Sequence, residues 1–476
     1  VTRDLLAQEW TLLRRERAFA AACVLLVLLC VYAGWSGTRW QQQRLADFRE
    51  SAAQLRDASE REAAQLAAIE SGDLAIAAAA GAGLPHVVRT ELALPPAPLA
   101  GVAVGEAELR PMRAVIAATT RAHEMFRFQE VDNPVLLGWG RLDFAFLAIV
   151  LLPLLWLGFG CTVLSADRDA GSLGFLLAHP VRAWKMALVR VLLRIGTLTA
   201  VVLGSGVLSW VAFGALRGIP PDWGGLATLS ALLVAYAVFW GALSLWIASR
   251  NRGSDHNALV AVLLWALLVL VVPALSALVA RQAVPLPSRL EYITAARGAE
   301  NEASGRGREL LQGYLLDHPE LEAARGDAVA PFIKTFVLVQ REVDRSVAPV
   351  VQAFDSAQAA QRRLAATLRW VSPRDVAEHA MLAIAGHDPG RFARFEDQAR
   401  ALRAAWLASV EDPVIAGRRL TASEFAALPR PVFSERARTR VLGGLLAAVV
   451  VLLAFAALAG AAAARGFRRY SPAGYT

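Results

Sequence analysis

Apolar and polar positions along this chain fall into long separate blocks. Six apolar runs reach the ~18 residues that a helix needs to cross a bilayer: residues 18–35, 143–164, 195–216, 226–249, 258–280 and 441–464. The first resembles the apolar core of a signal peptide, with Arg14, Arg15 and Arg17 ahead of it. It lacks a small-residue cleavage site, and Trp35 and Trp40 behind it read as interfacial anchors, so it is expected to be retained as a span. Between the runs lie two long polar segments, 36–142 and 281–440, and short connections at 165–194, 217–225 and 250–257. An amphipathic stretch, 1–17, precedes the first span, and a basic tail, 465–476, follows the last.

Inside the polar segments the apolar positions recur at helical spacing. Leu45, Phe48, Ala52, Leu55, Leu66 and Ile69 form one stripe between Arg39 and Ser71. A helix there extends the first span as a stalk of about 50 Å. Residues 76–98 are rich in Ala, Gly and Pro and read as irregular chain. A second helical pattern runs from Pro331 to Trp370, with a bend expected at Pro349. Ser372-Pro373 and Asp388-Pro389 each pair an N-cap residue with proline at the first helical position. The helix after Asp388 carries Phe392, Phe395, Ala399, Leu402 and Trp406 on one side. No alternating strand pattern stands out. The expected fold class is therefore all-α: six transmembrane helices, with a mainly helical extracytoplasmic domain formed by the two long segments.

Composition changes the picture in one respect, sidedness. The chain carries 49 Lys plus Arg against 41 Asp plus Glu, a net charge of +8. Basic residues beside span ends mark the cytoplasmic side. Arg14, Arg15 and Arg17, then Arg250 and Arg252, then Arg465, Arg468 and Arg469 place both termini and the 250–257 loop inside. The 217–225 loop, with Pro220 and Pro221, and both long segments then lie outside. The charge excess is topological, and no basic patch interleaved with stacking aromatics points to nucleic acid.

Candidate chemistry is sparse. Cys23, Cys30 and Cys161 all fall in spans, so the outside domain holds together without disulfides. The seven histidines show no metal-ligand spacing, and His379 and His387 read as a solvated surface pair. No G-x-x-x-x-G-K-[ST] phosphate loop, HExxH or nucleophile elbow occurs. The reading is therefore not an enzyme, with neither cofactor nor metal in this chain. Arg141 and Asp143, at the outer mouth of the second span, are either an ordinary ion pair or substrate contacts. Tyr236, Trp240 and Ser244 share one face of the fourth span and either line a path or pack as an aromatic stripe. Gly204, Ser205 and Gly206, and Gly443, Gly444, Ala447 and Ala448, are small-residue faces suited to close helix packing.

The most informative stretch is DRDAGSLGFLLAHP, Asp167 to Pro180, followed by VRAWKMALVR. It is a short charged amphipathic segment held between two spans, with Phe175, Leu176 and Leu177 expected on one face and a stop at Pro180. Arg182, Lys185, Arg190 and Arg194 lead into the next span. This pattern resembles the coupling-helix segment of ABC-2 type permeases. RDLLAQEWTLLRRERAF resembles their membrane-surface elbow helix. YAGWSGTRWQQQRLADF, the DNPVLLGWGRLDF lead into the second span, SPRDVAEHAMLAIAGHDPGRFARFEDQARALRAAW and ALPRPVF are similar to a subgroup with a large extracytoplasmic domain of unknown function. The departures are conservative: Asp167 and Asp169 stand where glutamates are usual, Ser172 replaces threonine, and Arg190 falls about where a lysine is common.

The resemblance implies a permease subunit of a bacterial inner membrane, paired with a second identical or paralogous permease. ATP and Mg would be bound by a separate ATPase, whose contact the resemblance places on Asp167, Asp169, Gly171, Ser172, Leu173 and Leu176. The plain alternative for these residues is a solvated interfacial loop. The substrate is not legible, and export is the usual direction in the family. The rival function is a non-transporting ABC device, whose outside domain acts on a periplasmic or outer-membrane partner.

Overall fold

The computed structural model describes residues 2–122, 124–127, 142–178, 182–323 and 326–470. About 77% of the chain is helical. Among the described residues six helices are long and apolar enough to cross a membrane: Arg17–Ser71, Phe144–Asp169, Ala183–Leu216, Trp223–Ala248, Ser254–Ala283 and Arg440–Arg468. They are spans 1 to 6 here. Each coincides with an apolar run to within a residue or contains it, and the chain has the architecture of a multi-pass membrane protein.

Helix α1 (Thr2–Arg15) precedes α2 (Arg17–Ser71), a single 55-residue helix holding span 1 and the whole stalk, about 80 Å long. No proline interrupts it, and Gly72 ends it in the left-handed conformation at φ 83°. Of its expected stripe only Leu66 is fully buried; Leu45, Phe48, Leu55 and Ile69 are half-buried and Ala52 is exposed. Spans 2, 3 and 4 form the interior of the bundle. Trp156, Leu152, Tyr236 and Trp240 are all 0% exposed. Spans 5 and 6 lie at its edge, with only 11% and 22% of their apolar windows buried.

Glycines set several of the crossings. A Cβ on Gly34 would strike Ser209, one on Gly160 Ser244, and one on Gly206 Phe144. The small-residue expectation therefore holds for Gly206. Around Gly204, Gly443 and Gly444 a Cβ meets nothing within 4 Å, so these faces are open.

The two long segments emerge at the same end of the bundle and build one domain. Contrary to the strand-free expectation, the domain contains a three-stranded antiparallel sheet: β1 (Arg89–Ala93), β2 (Arg113–Ala117) and β3 (Phe126–Arg127). Thr90 pairs with Ile116 and Leu92 with Ala114. Arg113 grips the Glu91 carboxylate with Nε at 2.5 Å and Nη2 at 2.8 Å. The stretch 76–98 is thus not irregular throughout: it includes a 3-10 turn, Ile76–Ala79, as well as β1. The strands are only two to five residues long, too short for a local alternation to stand out; their pairing is decided by what covers them.

That cover is the second segment. Helix α5 (Pro331–Leu368) is one continuous helix with Pro349 inside it. Helices α6 (Pro373–Ile384) and α7 (Pro389–Ala416) begin at the foreseen caps. Ser372 Oγ accepts from the Asp375 amide at 3.2 Å and Asp388 Oδ1 from the Arg391 amide at 3.0 Å. Phe392, Phe395 and Ala399 of α7 pack with Trp40, Leu92 and Ala114, while Trp406, Val410 and Val414 pack with Val88 and Ile116. Burial of these apolar surfaces, at roughly 25 cal/mol per Å², is what joins the segments.

His387 departs from the surface-pair reading. It is 6% exposed, its Nδ1–H donates to the Ala103 carbonyl at 2.6 Å, and Trp40 meets its ring edge-on. His379 is half-buried on α6.

Candidate functional site

The end of span 2 and the chain that follows it form two short helices rather than one. After Gly160 the chain passes through a turn into α3 (Ser165–Asp169). Gly171, at φ 72°, then redirects it into α4 (Leu173–Leu177). The amide of Ser172 donates to the Asp167 carbonyl at 2.8 Å and its hydroxyl to the same oxygen at 3.1 Å, closing the turn. Consecutive residues on a helix are about 100° apart, so Phe175, Leu176 and Leu177 cannot share a face. Leu173 is 2% exposed and packs into the bundle core, Leu176 and Leu177 are partly buried against it, and Phe175 is 79% exposed. Leu173 therefore seats the segment against the bundle. The expected stop at Pro180 lies outside the described residues.

Two arginines one turn apart on span 3 fix this arrangement. A helix end leaves its last carbonyls without partners, and span 2 is broken after Gly160. Arg190 Nη1 donates to the Val163 carbonyl at 2.5 Å and Arg194 Nη1 to the Phe159 carbonyl at 3.1 Å. Each arginine also meets acids. Arg190 Nε lies 2.7 Å from Glu9 Oε1 on α1, and its Nη1 contacts the Asp167 carboxylate. Arg194 pairs with Glu16 at 3.6 Å. Arg190 is 8% exposed, so its charge is desolvated and held by three oxygen partners. The pair clamps α1, α3 and span 3 together.

The second acid of the segment is also engaged. Asp169 Oδ2 accepts from the Ser254 amide at 2.9 Å and so caps the start of span 5. Arg168 donates to the Asn251 side chain, to the Arg252 carbonyl at 3.2 Å and to the Tyr470 hydroxyl at 3.0 Å. Asn251 holds a left-handed φ of 60°, which turns the 250–253 loop back toward Arg168. Asp167, Asp169, Gly171, Ser172, Leu173 and Leu176 are thus brought together, tied mainly to other parts of the same chain. Leu173 is buried, Asp167, Ser172 and Leu176 are half-buried, and the exposed side carries Asp169, Ala170, Gly171, Gly174, Phe175 and Ala178.

The candidate path residues behave differently. Asp143 is 8% exposed and caps span 2: its oxygens accept from the Phe146 amide at 2.8 Å and the Val104 amide at 2.9 Å. It ties the span to the first segment. Arg141 lies outside the described residues. Tyr236, Trp240 and Ser244 are fully buried. Tyr236 and Trp240 meet edge to face at 5.8 Å, and the Ser244 hydroxyl returns to the Trp240 carbonyl at 2.9 Å. All three side chains pack inside the bundle.

Sequence reasoning missed Glu9 and the double role of Arg190 and Arg194. The i, i+4 arginine spacing at a span start was visible, but which carbonyls and acids it serves depends on where span 2 breaks.

Comparison with known proteins adds one finding. A family model described as a domain of unknown function, DUF3526, matches residues 289–434. This covers most of the second segment, including α5, α6 and α7, at the end of the bundle opposite α3 and α4. No curated protein and no solved structure matches the chain.

Proposed function

We propose that this chain is the permease subunit of an ABC-2 type transporter of a bacterial inner membrane, driven by a separate ATPase that binds ATP and Mg. The observation that carries this reading is the clamp of Arg190 and Arg194. It makes α1, α3 and span 3 one unit, to which the Ser172 bonds to the Asp167 carbonyl join α4, with Phe175 presented at its surface. A push on α4 then moves span 3 and the start of span 5 rather than bending a loop. Asp167 and Asp169 transmit that push within the chain, and Phe175 with Gly174 and Ala178 meets the motor. A second copy of the chain, or a paralogue, covers apolar surface on spans 5 and 6. The ATPase side is cytoplasmic and the two-segment domain lies outside.

One observation favours the rival reading, force transmission without transport. The span 4 face that offered path residues is filled by Tyr236, Trp240 and Ser244 packed against span 2, and the domain is seated directly on the spans.

The test is co-expression with a candidate ABC ATPase. The isolated chain should hydrolyse no ATP. The complex should do so, and Phe175→Asp should lower complex formation at least about tenfold, the effect of burying a charge at an apolar contact, while membrane insertion is retained. Turnover by the isolated chain, or an undiminished complex with Phe175→Asp, would sink the proposal.

A further inference from the structure

Within the six spans proline occurs twice, at Pro153 in span 2 and Pro273 in span 5. Each is preceded, at the same spacing, by a single π-helical turn: Leu147–Leu151 and Leu267–Val271. Proline lacks the N–H that would serve the carbonyl four residues back, and its ring crowds that carbonyl. A π-turn relieves the crowding, and such turns mark places where a helix can bend.

The carbonyls around Pro153 are taken up by other spans. The fourth residue back is Ile149, whose carbonyl accepts from the Tyr236 hydroxyl of span 4 at 3.4 Å. The next, Val150, accepts from the indole Nε1–H of Trp265 at 3.0 Å. Trp265 belongs to span 5 and stands two residues before that span's own π-turn. One hydrogen bond therefore ties the turn of span 2 to the helix just ahead of the turn of span 5. Both turns also pack against the same element of the domain, α6. Val376, Ala377, Ala380 and Met381 of α6 are buried in the bundle core with residues of spans 2, 4 and 6. The domain thus inserts one helix into the mouth of the bundle, at the level of both turns.

We infer that the π-turns of spans 2 and 5 are a coupled pair of hinges, and that α6 is the lever through which their bending reaches the two-segment domain. Three features carry this: the matched proline-backed turns, the Trp265 link between them, and their shared contact on α6. The inference concerns this chain alone and does not depend on which motor drives it.

Hydrogen exchange of the full chain in lipid nanodiscs, followed by mass spectrometry, tests it. Trp265→Phe keeps the ring and removes the donor. Amides of 147–151 should then exchange roughly fivefold faster, the change expected from one lost buried hydrogen bond, and amides of 373–384 should follow. Span 3 amides, 183–216, serve as the internal standard. Faster exchange at 147–151 with α6 unchanged overturns the lever, and no change at 147–151 overturns the hinge link. Ala377→Leu probes the reverse direction by crowding α6 from its buried face. It should alter exchange at both 147–151 and 267–271, and an effect on neither turn overturns the coupling even if Trp265→Phe fails to fold.

Discussion

Single residues in this protein take their roles from burial more than from type. His387 shows this most directly. Burial pushes its imidazole down from the ordinary value to about 4, against the help of the Ala103 carbonyl, and Arg391 and Arg44 push the same way while Asp388 opposes. The folded chain therefore keeps His387 neutral where the unfolded chain protonates it. Between about pH 6.5 and pH 4 the unfolded state binds the extra proton, so stability falls as pH drops through that window. The full contribution is on the order of 3 kcal/mol. Thermal unfolding of the detergent-solubilised chain should show this loss, and His387→Gln, which retains a donor for Ala103, should flatten it. Superimposable pH profiles for the two proteins would contradict the assignment. Nothing in the local sequence distinguished His387 from a surface histidine; its environment is made by Ala103 and Trp40, hundreds of residues earlier in the chain.

At the scale of elements, the exit of span 1 shows how tightly the domain is mounted. Gly37 of α2 and Gly101 of a 3-10 turn cross backbone to backbone, and a Cβ on either would collide with the carbonyl of the other. Gln41, one turn on, braces the crossing by donating to the Pro98 carbonyl at 2.8 Å and accepting from the Gly101 amide at 3.3 Å. Trp40 Nε1 donates to Glu108 at 2.8 Å beside them. Gly37→Ala should therefore destabilise the chain by roughly 1–3 kcal/mol through overpacking, seen as a lower midpoint in thermal unfolding. Gly443→Ala, where nothing lies within 4 Å, should leave the midpoint in place. Equal effects of the two substitutions would show that the crossing is not a tight point. The motif WSGTRWQQ was legible as a span exit, but its Gly and Gln were not legible as a mount, because the partner turn follows about 60 residues later.

Over the whole molecule, the two long segments pack into one domain that is held to the spans at several places. The stalk tip is fixed where Glu62 accepts from the Gly83 amide at 2.6 Å and Glu70 from the Ala422 amide at 2.7 Å. Buried Arg391 donates to the Pro95 carbonyl at 2.6 Å and pairs with Glu435, crossing from one segment to the other. With both segments at one end of the bundle, a single labelling experiment gives the sidedness. In a background with Cys23, Cys30 and Cys161 replaced by alanine, Gln65→Cys and Ser356→Cys should both react with an impermeant thiol reagent in intact spheroplasts. Ala178→Cys, on the opposite end, should react only after the membrane is opened. The reverse pattern would invert the topology and remove the proposed motor site from the cytoplasm.

The six spans, the long first helix, the caps at Ser372 and Asp388 and the apolar side of α7 follow from the order of residues alone. Each is a local property: a run of apolar residues, a helical period, or an N-cap followed by proline, and neighbours in sequence suffice to specify it. Tertiary structure decided the rest. The sheet exists because α7 covers it, the acids at 167 and 169 became internal ties because Arg190 and the start of span 5 reach them, and Leu173 turned inward because Gly171 splits its helix from α3. The π-turns were written locally as prolines, yet only the packing of Trp265 and α6 joins them. Contacts between residues far apart in the chain depend on which surfaces meet after the helices form, and no short-range pattern encodes that meeting.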